Sequence, residues 1–333
     1  MARQPAVNSQ LSLPDAGGVQ WSVCLRAGGG MPLGSVGADV SLRTASVGKV
    51  LLLLETARAL TEGELAPDEV LTRTLEEWVA DSGLWHTLSV ESLPLGDVAA
   101  LVGAVSDNLA TNVLLRRIGL DQVARLATEL GLRATALHDR VRDTRTSSHA
   151  ATLSTGSAAE LSELMARIAT GTAVSPPADS LVRQWLSANV DQSMVGAVFV
   201  EQAGLDPIAH HVLLTEAVDQ VEQRAAEWVA GGERTRRPAA GRPLGVWNKT
   251  GTDSGVRADV GAATRGGRTV TWAAIANWEP HATTVFEVGG GDPGAGPAAR
   301  SGRSAHTRDD LTTWAVLRGM RQVGELALDA LTS

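Results

Sequence analysis

Lysine occurs at only two positions in this chain, and each lies in a short motif that also contains a serine or a threonine. The other 27 of the 29 basic residues are arginine. Arginine keeps its charge in proteins, whereas a buried lysine can lose its proton and act as a base. Lys49 and Lys249 are therefore the first candidates for chemistry, with chance survival of two lysines as the alternative.

Ser46 and Lys49 form an S-x-x-K motif just before an apolar run, residues 50–54. Residues three apart share one face of a helix, so the Lys49 amine can reach the Ser46 hydroxyl. The start of a helix disfavours a second positive charge and offers backbone N–H groups to an oxyanion. The pattern predicts a nucleophile with an adjacent base. A capped helix with a surface lysine is the alternative, and the apolar neighbours argue against it.

Two further motifs follow along the chain. Ser106-Asp107-Asn108 lies 60 positions after Ser46, and Lys249-Thr250-Gly251-Thr252 ends a predicted strand. Taken alone, the first could be a helix-capping segment and the second a surface strand. Their joint order, S-x-x-K, S-D-N and K-T-G, is that of serine β-lactamases and penicillin-binding proteins. With the segments 80–84 and 106–115, the chain resembles class A β-lactamases from about residue 19 to residue 278.

The resemblance implies a role for each catalytic residue. Ser46 would attack a β-lactam carbonyl and form an acyl-enzyme, while Lys49 takes its proton. Ser106 would pass a proton to the leaving nitrogen, supported by the charge of Lys249. The backbone N–H groups of Ser46 and Thr252 would form the oxyanion hole.

The resemblance also implies a set of substrate contacts. Asn108 would hold Lys49 and the amide side chain of the substrate. Thr250 and Thr252, on either side of Gly251, would bind the substrate carboxylate. Arg257, on the next predicted strand, is a candidate for a second carboxylate contact, and a surface salt bridge is an equally good explanation of it.

One expected group is missing from the chain. Class A enzymes carry a glutamate after the S-D-N motif that activates the water for deacylation, but a gapless count places Arg142 there. Asp139 and Asp143 are the nearby carboxylates, and the adjacent arginines favour ion pairing for both. General-base help is typically worth about 10²–10⁴-fold in rate. We therefore expect fast acylation of Ser46 and slow turnover of penicillins.

The order of elements indicates how these motifs are positioned. Strand patterns at 18–26 and 37–43 precede helical patterns at 95–105, 108–118, 121–130, 157–170 and 179–188. Strands at 245–249, 257–264 and 269–277 follow, then a helix at about 308–331. This order predicts an α/β (α+β) fold of the β-lactamase/transpeptidase type: an antiparallel sheet flanked by helices, with an inserted helical subdomain. Residues 1–43 and 211–333 would form the sheet subdomain and residues 44–210 the helical one, with the active site between them.

Two segments are predicted insertions. Residues 212–243 combine an amphipathic stretch with a basic loop, and residues 289–304 are rich in Gly, Pro, Ala and Arg and are predicted to be disordered.

The composition limits the classes of partner that we expect the protein to bind. The net charge is −8 and no basic block alternates with aromatics, which argues against nucleic acid and anionic membranes. Cys24 is the single cysteine, and His138, His149, His210 and His211 lack zinc-site spacing, so no disulfide, metal or cofactor is predicted.

No signal peptide is visible, which predicts a cytoplasmic protein, or a secreted or periplasmic one if the N-terminus is incomplete. The sequence does not predict an oligomeric state.

Other functions on the same scaffold stay open at this point. A D,D-peptidase, amidase or esterase would use the same three motifs on a small amide, ester or lactam. The absence of tyrosine excludes the class C relatives, whose base is a tyrosine hydroxyl. A non-catalytic penicillin-binding protein that traps its ligand is favoured by the missing glutamate and disfavoured by the intact motifs.

Overall fold

A five-stranded antiparallel sheet organises the protein. The computed structural model describes residues 11–15, 18–28, 30–79, 81–202, 244–280 and 299–333, and only the backbone of 299–310. The strands are β1 (Gln20–Ala27), β2 (Pro32–Val36), β8 (Gly245–Asp253), β9 (Val256–Arg265) and β10 (Arg268–Asn277). Their order is β2-β1-β10-β9-β8, so the N-terminal hairpin pairs with the last strand of the C-terminal meander. The predicted fold class is confirmed, and β8, which carries Lys249, is an edge strand.

Residues 37–43 do not form the single strand that the sequence predicts. Pairing of β2 with β1 ends at Val36, and Gly37 then turns the chain with a φ of 54°. A Cβ at Gly37 would lie 2.6 Å from the Trp21 carbonyl oxygen, so only glycine fits. The chain extends again as β3 (Leu42–Arg43), which pairs in a different sheet. That change of direction brings the next residues, including Ser46, to the side of the main sheet.

The helical block lies between β3 and β8. Its helices are α1 (Lys49–Thr61), α2 (Leu95–Val105), α3 (Asn108–Ile118), α4 (Leu120–Glu129), α5 (Ala158–Thr170) and α6 (Pro176–Ser187). The helices predicted from apolar periodicity are confirmed to within three residues at each end. Two small sheets complete the block: β3 with β7 (Ser154–Gly156) and β6 (Ala136–Leu137), and β4 (Val70–Thr72) with β5 (Ser92–Pro94).

Apolar side chains cover both faces of the main sheet. On one side, α5 and α6 pack against strands, and the buried leucines of α1 lie at the centre of the helical core. On the other side lie α7 (Gly196–Gln202) and α8 (Ala299–Thr332), where Phe199 stacks on Trp272 with ring centroids 5.4 Å apart. Burial on both faces makes the sheet a rigid support for residues on its edge strand.

The C-terminal helix is longer than the sequence predicts. It begins at Ala299, within the segment predicted to be disordered. Residues 289–298 and the predicted insertion 212–243 lie outside the described residues. None of the described helices is both long and apolar enough to cross a bilayer.

Candidate active site

Ser46 lies on a short 3-10 helix, Ala45–Gly48, immediately before α1, and not inside an α-helix. Its neighbour Ala45 has a φ of 47°, a left-handed conformation that costs an alanine of order 1–3 kcal/mol. Ser154 of β7 supports this conformation, because its hydroxyl donates to the Ala45 carbonyl oxygen at 2.5 Å. The Thr44 backbone N–H also donates to the Ser154 carbonyl oxygen, at 3.1 Å. The turn therefore holds Ser46 at a partly exposed position.

Lys49, at the start of α1, is completely buried. Its Nζ donates to the Ser106 carbonyl oxygen at 2.6 Å and to Asn108 Oδ1 at 2.7 Å, and lies 3.2 Å from Ser106 Oγ. These two carbonyl oxygens can accept the two N–H groups of a neutral amine, and its lone pair can then accept the Ser106 hydroxyl. In the described part of the chain, no hydrogen bond joins Lys49 to Ser46 Oγ.

The electrostatic surroundings of Lys49 favour its neutral form. Burial, and then the positive charge of Lys249, hold its pKa well below the ordinary value of 10.5. Asp107 and Asp81 act in the opposite direction and are outweighed. A buried lysine beside a second cation is the environment in which an amine can serve as a base near neutral pH.

The S-D-N segment connects α2 to α3. Ser106 ends α2 with a φ of 55°, and Asp107 caps α3 by accepting the Ala110 N–H at 2.8 Å. The same carboxylate accepts the N–H groups of Leu84 and Trp85, at 2.7 and 2.8 Å. The contact of Asp107 with Leu84 and Trp85 was not predicted from the sequence, although Asp107 is the one acidic residue of the S-D-N motif. It fixes the 82–85 segment beside the site.

Lys249 approaches from the sheet. It is completely buried, and its Nζ donates to the Thr250 carbonyl oxygen at 2.9 Å. Burial lowers its pKa from 10.5 to about 8, although Asp191 and Asp259 favour the charged form. Lys249 is thus mostly protonated at neutral pH.

Gly251 is the point where the sheet meets the Ser46 turn. A Cβ at this position would lie 2.2 Å from the Thr44 carbonyl oxygen and 3.2 Å from the Ser46 backbone nitrogen. Only a residue without a side chain allows β8 to come so close. All three motifs thus meet at one place: Lys49 contacts Ser106 and Asn108, and β8 lies against the Ser46 turn.

Three more predicted residues lie on β8 and β9. Thr250 is buried and Thr252 is exposed, and Thr252 stands opposite Arg257 in the strand register. The Arg257 guanidinium donates to the carbonyl oxygens of Asp253 and Val256, at 3.0 and 2.7 Å, and lies over the Trp278 ring. Within the described residues no carboxylate pairs with it, which disfavours the surface salt bridge. Its contact with a substrate carboxylate stays a prediction.

Asp139, one of the two carboxylates close to the position of the expected glutamate, is ion-paired. It accepts hydrogen bonds from Arg142 Nε at 2.8 Å and from Arg145 Nη1 at 2.7 Å. Burial would raise its pKa, but these arginines and the Arg140 backbone N–H lower it to about 2. Asp143 is exposed. A carboxylate this acidic and this firmly held is a poor general base.

A polar network behind Lys249 was not predicted. Asn248 Oδ1 accepts hydrogen bonds from Asn189 Nδ2 and Gln192 Nε2, each at 2.9 Å, and Asn248 Nδ2 donates to Asp259 Oδ1 at 3.1 Å. Asp259 is completely buried, which raises its pKa to about 6 despite its N–H donors. Alternation along β8 and β9 could have identified these inward polar side chains, but not their partners on a distant loop.

Comparisons with known proteins identify a family and a fold. Residues 10–210 match the sequence model described as the beta-lactamase enzyme family. No curated protein sequence is significantly similar to the chain.

In the described residues, no three potential metal-ligating side chains lie together.

Several solved structures share the fold. A β-lactamase from Sphaerobacter thermophilus is 20% identical, with a TM-score of 0.68 over 98% of this chain and 97% of that one. A mutant of PBP-A, solved as an acyl-enzyme complex with penicillin G, is 18% identical, with a TM-score of 0.63 over 94% and 90%. An ancestral class A β-lactamase is 18% identical, with a TM-score of 0.60 over 93% and 94%.

Proposed function

The chain belongs to the β-lactamase enzyme family, and on that premise we propose that it is a serine hydrolase acylated at Ser46 by a β-lactam or a related amide or ester. The observation that carries the proposal is the environment of Lys49. Its amine is buried, its pKa is lowered, and two carbonyl oxygens, of Ser106 and of Asn108, accept its N–H groups.

Acylation proceeds in two steps. Ser46 Oγ attacks the substrate carbonyl carbon while the neutral Lys49 amine takes the hydroxyl proton. The backbone N–H groups of Ser46 and Thr252 stabilise the negative oxygen of the tetrahedral intermediate. The carbon–nitrogen bond then breaks, and Ser106 passes a proton to the leaving nitrogen. The contact between Lys49 Nζ and Ser106 Oγ, at 3.2 Å, supports a proton route between the two residues.

The substrate is held from both sides of the cleft. Asn108 binds the amide side chain of the substrate, and Thr250, Thr252 and Arg257 bind its carboxylate. The charge of Lys249 assists both carboxylate binding and proton delivery. Closeness of β8 to the Ser46 turn, which depends on Gly251, supports a cleft that these groups share.

Deacylation is the slow step in this proposal. The one buried carboxylate of the 139–145 segment is bound by two arginines, which supports the absence of an efficient base from that segment. Asp143 is exposed, and no glutamate stands between residues 130 and 159. The capture of a PBP-A mutant as an acyl-enzyme is consistent with long-lived intermediates on this fold.

A ligand-trapping protein is the second candidate, favoured by the ion-paired state of Asp139. It differs from the enzyme only in the lifetime of the acyl-enzyme, whereas an amidase, esterase or D,D-peptidase would differ in the acyl donor.

Intact-mass spectrometry separates these functions. The protein is mixed with benzylpenicillin and sampled over time, with Ser46→Ala as the control. We expect one covalent adduct on the unmodified chain that persists for many minutes, and none on Ser46→Ala. An adduct that disappears within seconds would contradict slow deacylation. The complete absence of an adduct would contradict a β-lactam as acyl donor.

A further inference from the structure

The residue that follows β10, Trp278, lies against the turn between β8 and β9. Its side chain is buried, and its backbone N–H donates to the Gly255 carbonyl oxygen at 3.0 Å. Gly255 has a φ of 65°, and a Cβ at this position would collide with the Trp278 carbonyl oxygen. Only glycine allows this approach, which fixes Trp278 beside the turn that leads from Thr252 to Arg257.

The same end of β10 is attached to the chain just before the nucleophile. Asn277 Oδ1 accepts the Arg43 backbone N–H at 2.9 Å, and Asn277 Nδ2 donates to the Arg43 carbonyl oxygen at 2.9 Å. Arg43 lies three positions before Ser46. Trp278 is therefore held by backbone contacts on the side of the sheet end that adjoins the proposed active site.

The Arg257 guanidinium has one free edge. Its Nη1 donates to the carbonyl oxygens of Asp253 and Val256, and its Cζ lies 5.7 Å from the centroid of the Trp278 ring. Nε and Nη2 make no hydrogen bond to the part of the chain that the structure describes. The N–H groups of these two nitrogens point along one edge of the planar group, which can bind both oxygens of a carboxylate.

The ring of Trp278 is the part of this side chain that makes a specific contact. Its Nε1 is buried and has no hydrogen-bond partner among the described residues, so the indole N–H does not stabilise the folded chain. The ring, in contrast, covers a half-buried cation, and a cation–π contact is stronger there than in full exposure to water.

We propose that Trp278 is a positioning residue that holds the Arg257 guanidinium with its Nε–Nη2 edge free for the carboxylate of the acyl donor, and that it thereby increases the preference for anionic donors. The inference rests on the proposed function and deepens its carboxylate subsite. Without the ring, the long arginine side chain samples more orientations, and binding a carboxylate then costs more conformational entropy. Because Lys249 still attracts an anion, the preference decreases without being lost.

The test compares two acyl donors that differ in one charge. Benzylpenicillin and its methyl ester carry the same lactam ring, and the ester lacks the carboxylate. Second-order rate constants for adduct formation on Ser46 are measured with both compounds by intact-mass spectrometry. Trp278→Leu and Trp278→Met remove the ring, and having two such variants guards against the misfolding of one. Trp278→Phe keeps a ring and removes the unpaired N–H.

Trp21→Leu is the matched control. Trp21 lies on the neighbouring strand β1 and packs against Gly319 of α8, and none of the described arginines lies over its ring. This variant removes a tryptophan from the same sheet and leaves Arg257 in place.

The decisive quantity is the ratio of the two rate constants, benzylpenicillin over methyl ester. We expect Trp278→Leu and Trp278→Met to lower this ratio about fivefold, and Trp278→Phe and Trp21→Leu to leave it within about twofold of the unmodified chain. In chains that already carry Arg257→Ala, Trp278→Leu should leave the ratio unchanged, because the cation that the ring positions is gone.

Two results would overturn the inference while acylation of Ser46 itself stands. One is an equal loss of rate with both compounds when the ring is removed, which would show a structural role for Trp278. The other is an equal fall of the ratio with and without Arg257. No adduct from either compound on the unmodified chain would overturn the proposed function and the inference with it.

Discussion

Lys49 Nζ donates a hydrogen bond to Asn108 Oδ1 at 2.7 Å, so the side chain at position 108 acts directly on the pKa of the amine. A neutral oxygen at this position accepts an N–H without favouring the protonated amine strongly. A carboxylate at the same position would favour it, because opposite charges in a buried site attract strongly. A neutral amide at position 108 therefore helps to keep the pKa of Lys49 low.

The variant Asn108→Asp tests this effect of position 108 on the pKa of Lys49. We expect the pKa of Lys49 to rise and acylation at neutral pH to slow by about 100-fold, within the range that general-base catalysis contributes. The rate should recover at higher pH as the amine loses its proton. A stopped-flow or intact-mass pH profile with benzylpenicillin measures both effects. Loss of rate with an unchanged pH profile would instead assign Asn108 to substrate binding alone.

Gly251→Ala tests the contact between the sheet and the nucleophile. The added Cβ would meet the Thr44 carbonyl oxygen, so β8 must move away from the Ser46 turn. We expect acylation to fall by at least about 100-fold, since one displaced oxyanion donor costs about 10²–10³-fold. Gly28→Ala, whose Cβ would sit 3.6 Å from the Thr269 carbonyl oxygen, is the control and should acylate normally. Normal acylation of Gly251→Ala would contradict the proposed oxyanion hole.

The charge of Lys249 predicts a pH dependence. Its pKa is about 8, so the amine is charged below that pH and neutral above it. We expect acylation by benzylpenicillin to fall about fivefold between pH 8 and pH 9, because the charged fraction of Lys249 falls by that factor and the anionic donor loses its attraction to the site. Lys249→Arg keeps its charge and should lack the fall. An identical fall in Lys249→Arg would place the titrating group elsewhere.

Asp139→Asn distinguishes an ion-paired carboxylate from a catalytic one. Because Asp139 is held by Arg142 and Arg145, we expect the acyl-enzyme lifetime to stay within about threefold, while rate losses of about 10²–10⁴ would mark a general base. The free energy of unfolding should fall by about 1–3 kcal/mol, as expected when charged hydrogen bonds are lost. Urea denaturation and the decay of the intact-mass adduct measure the two quantities. A greatly prolonged lifetime would identify Asp139 as the base.

The sequence predicted those features that depend on local periodicity or on short motifs. The ranges of α2 and α3 follow from apolar spacing, and the meeting of Lys49 with Ser106 and Asn108 follows from the motif order. The single strand predicted at residues 37–43 was wrong, because the close approach of Gly37 to Trp21 is a tertiary contact with no local signal. The polar network behind Lys249 was not predicted for a similar reason, since it depends on a hydrogen bond between residues 59 positions apart, Asn189 and Asn248.

The protonation state of Lys49 is the central claim, and it can be observed directly. Because the chain has two lysines, isotope labelling of lysine side chains gives two NMR signals, which Lys249→Arg assigns. We predict that the signal of Lys249 titrates at about pH 8, and that the signal of Lys49 titrates well below the ordinary lysine pKa of 10.5. At the pH where Ser46 acylates fastest, the Lys49 signal should be that of a neutral amine. A Lys49 signal that is fully protonated at that pH would contradict its role as the base.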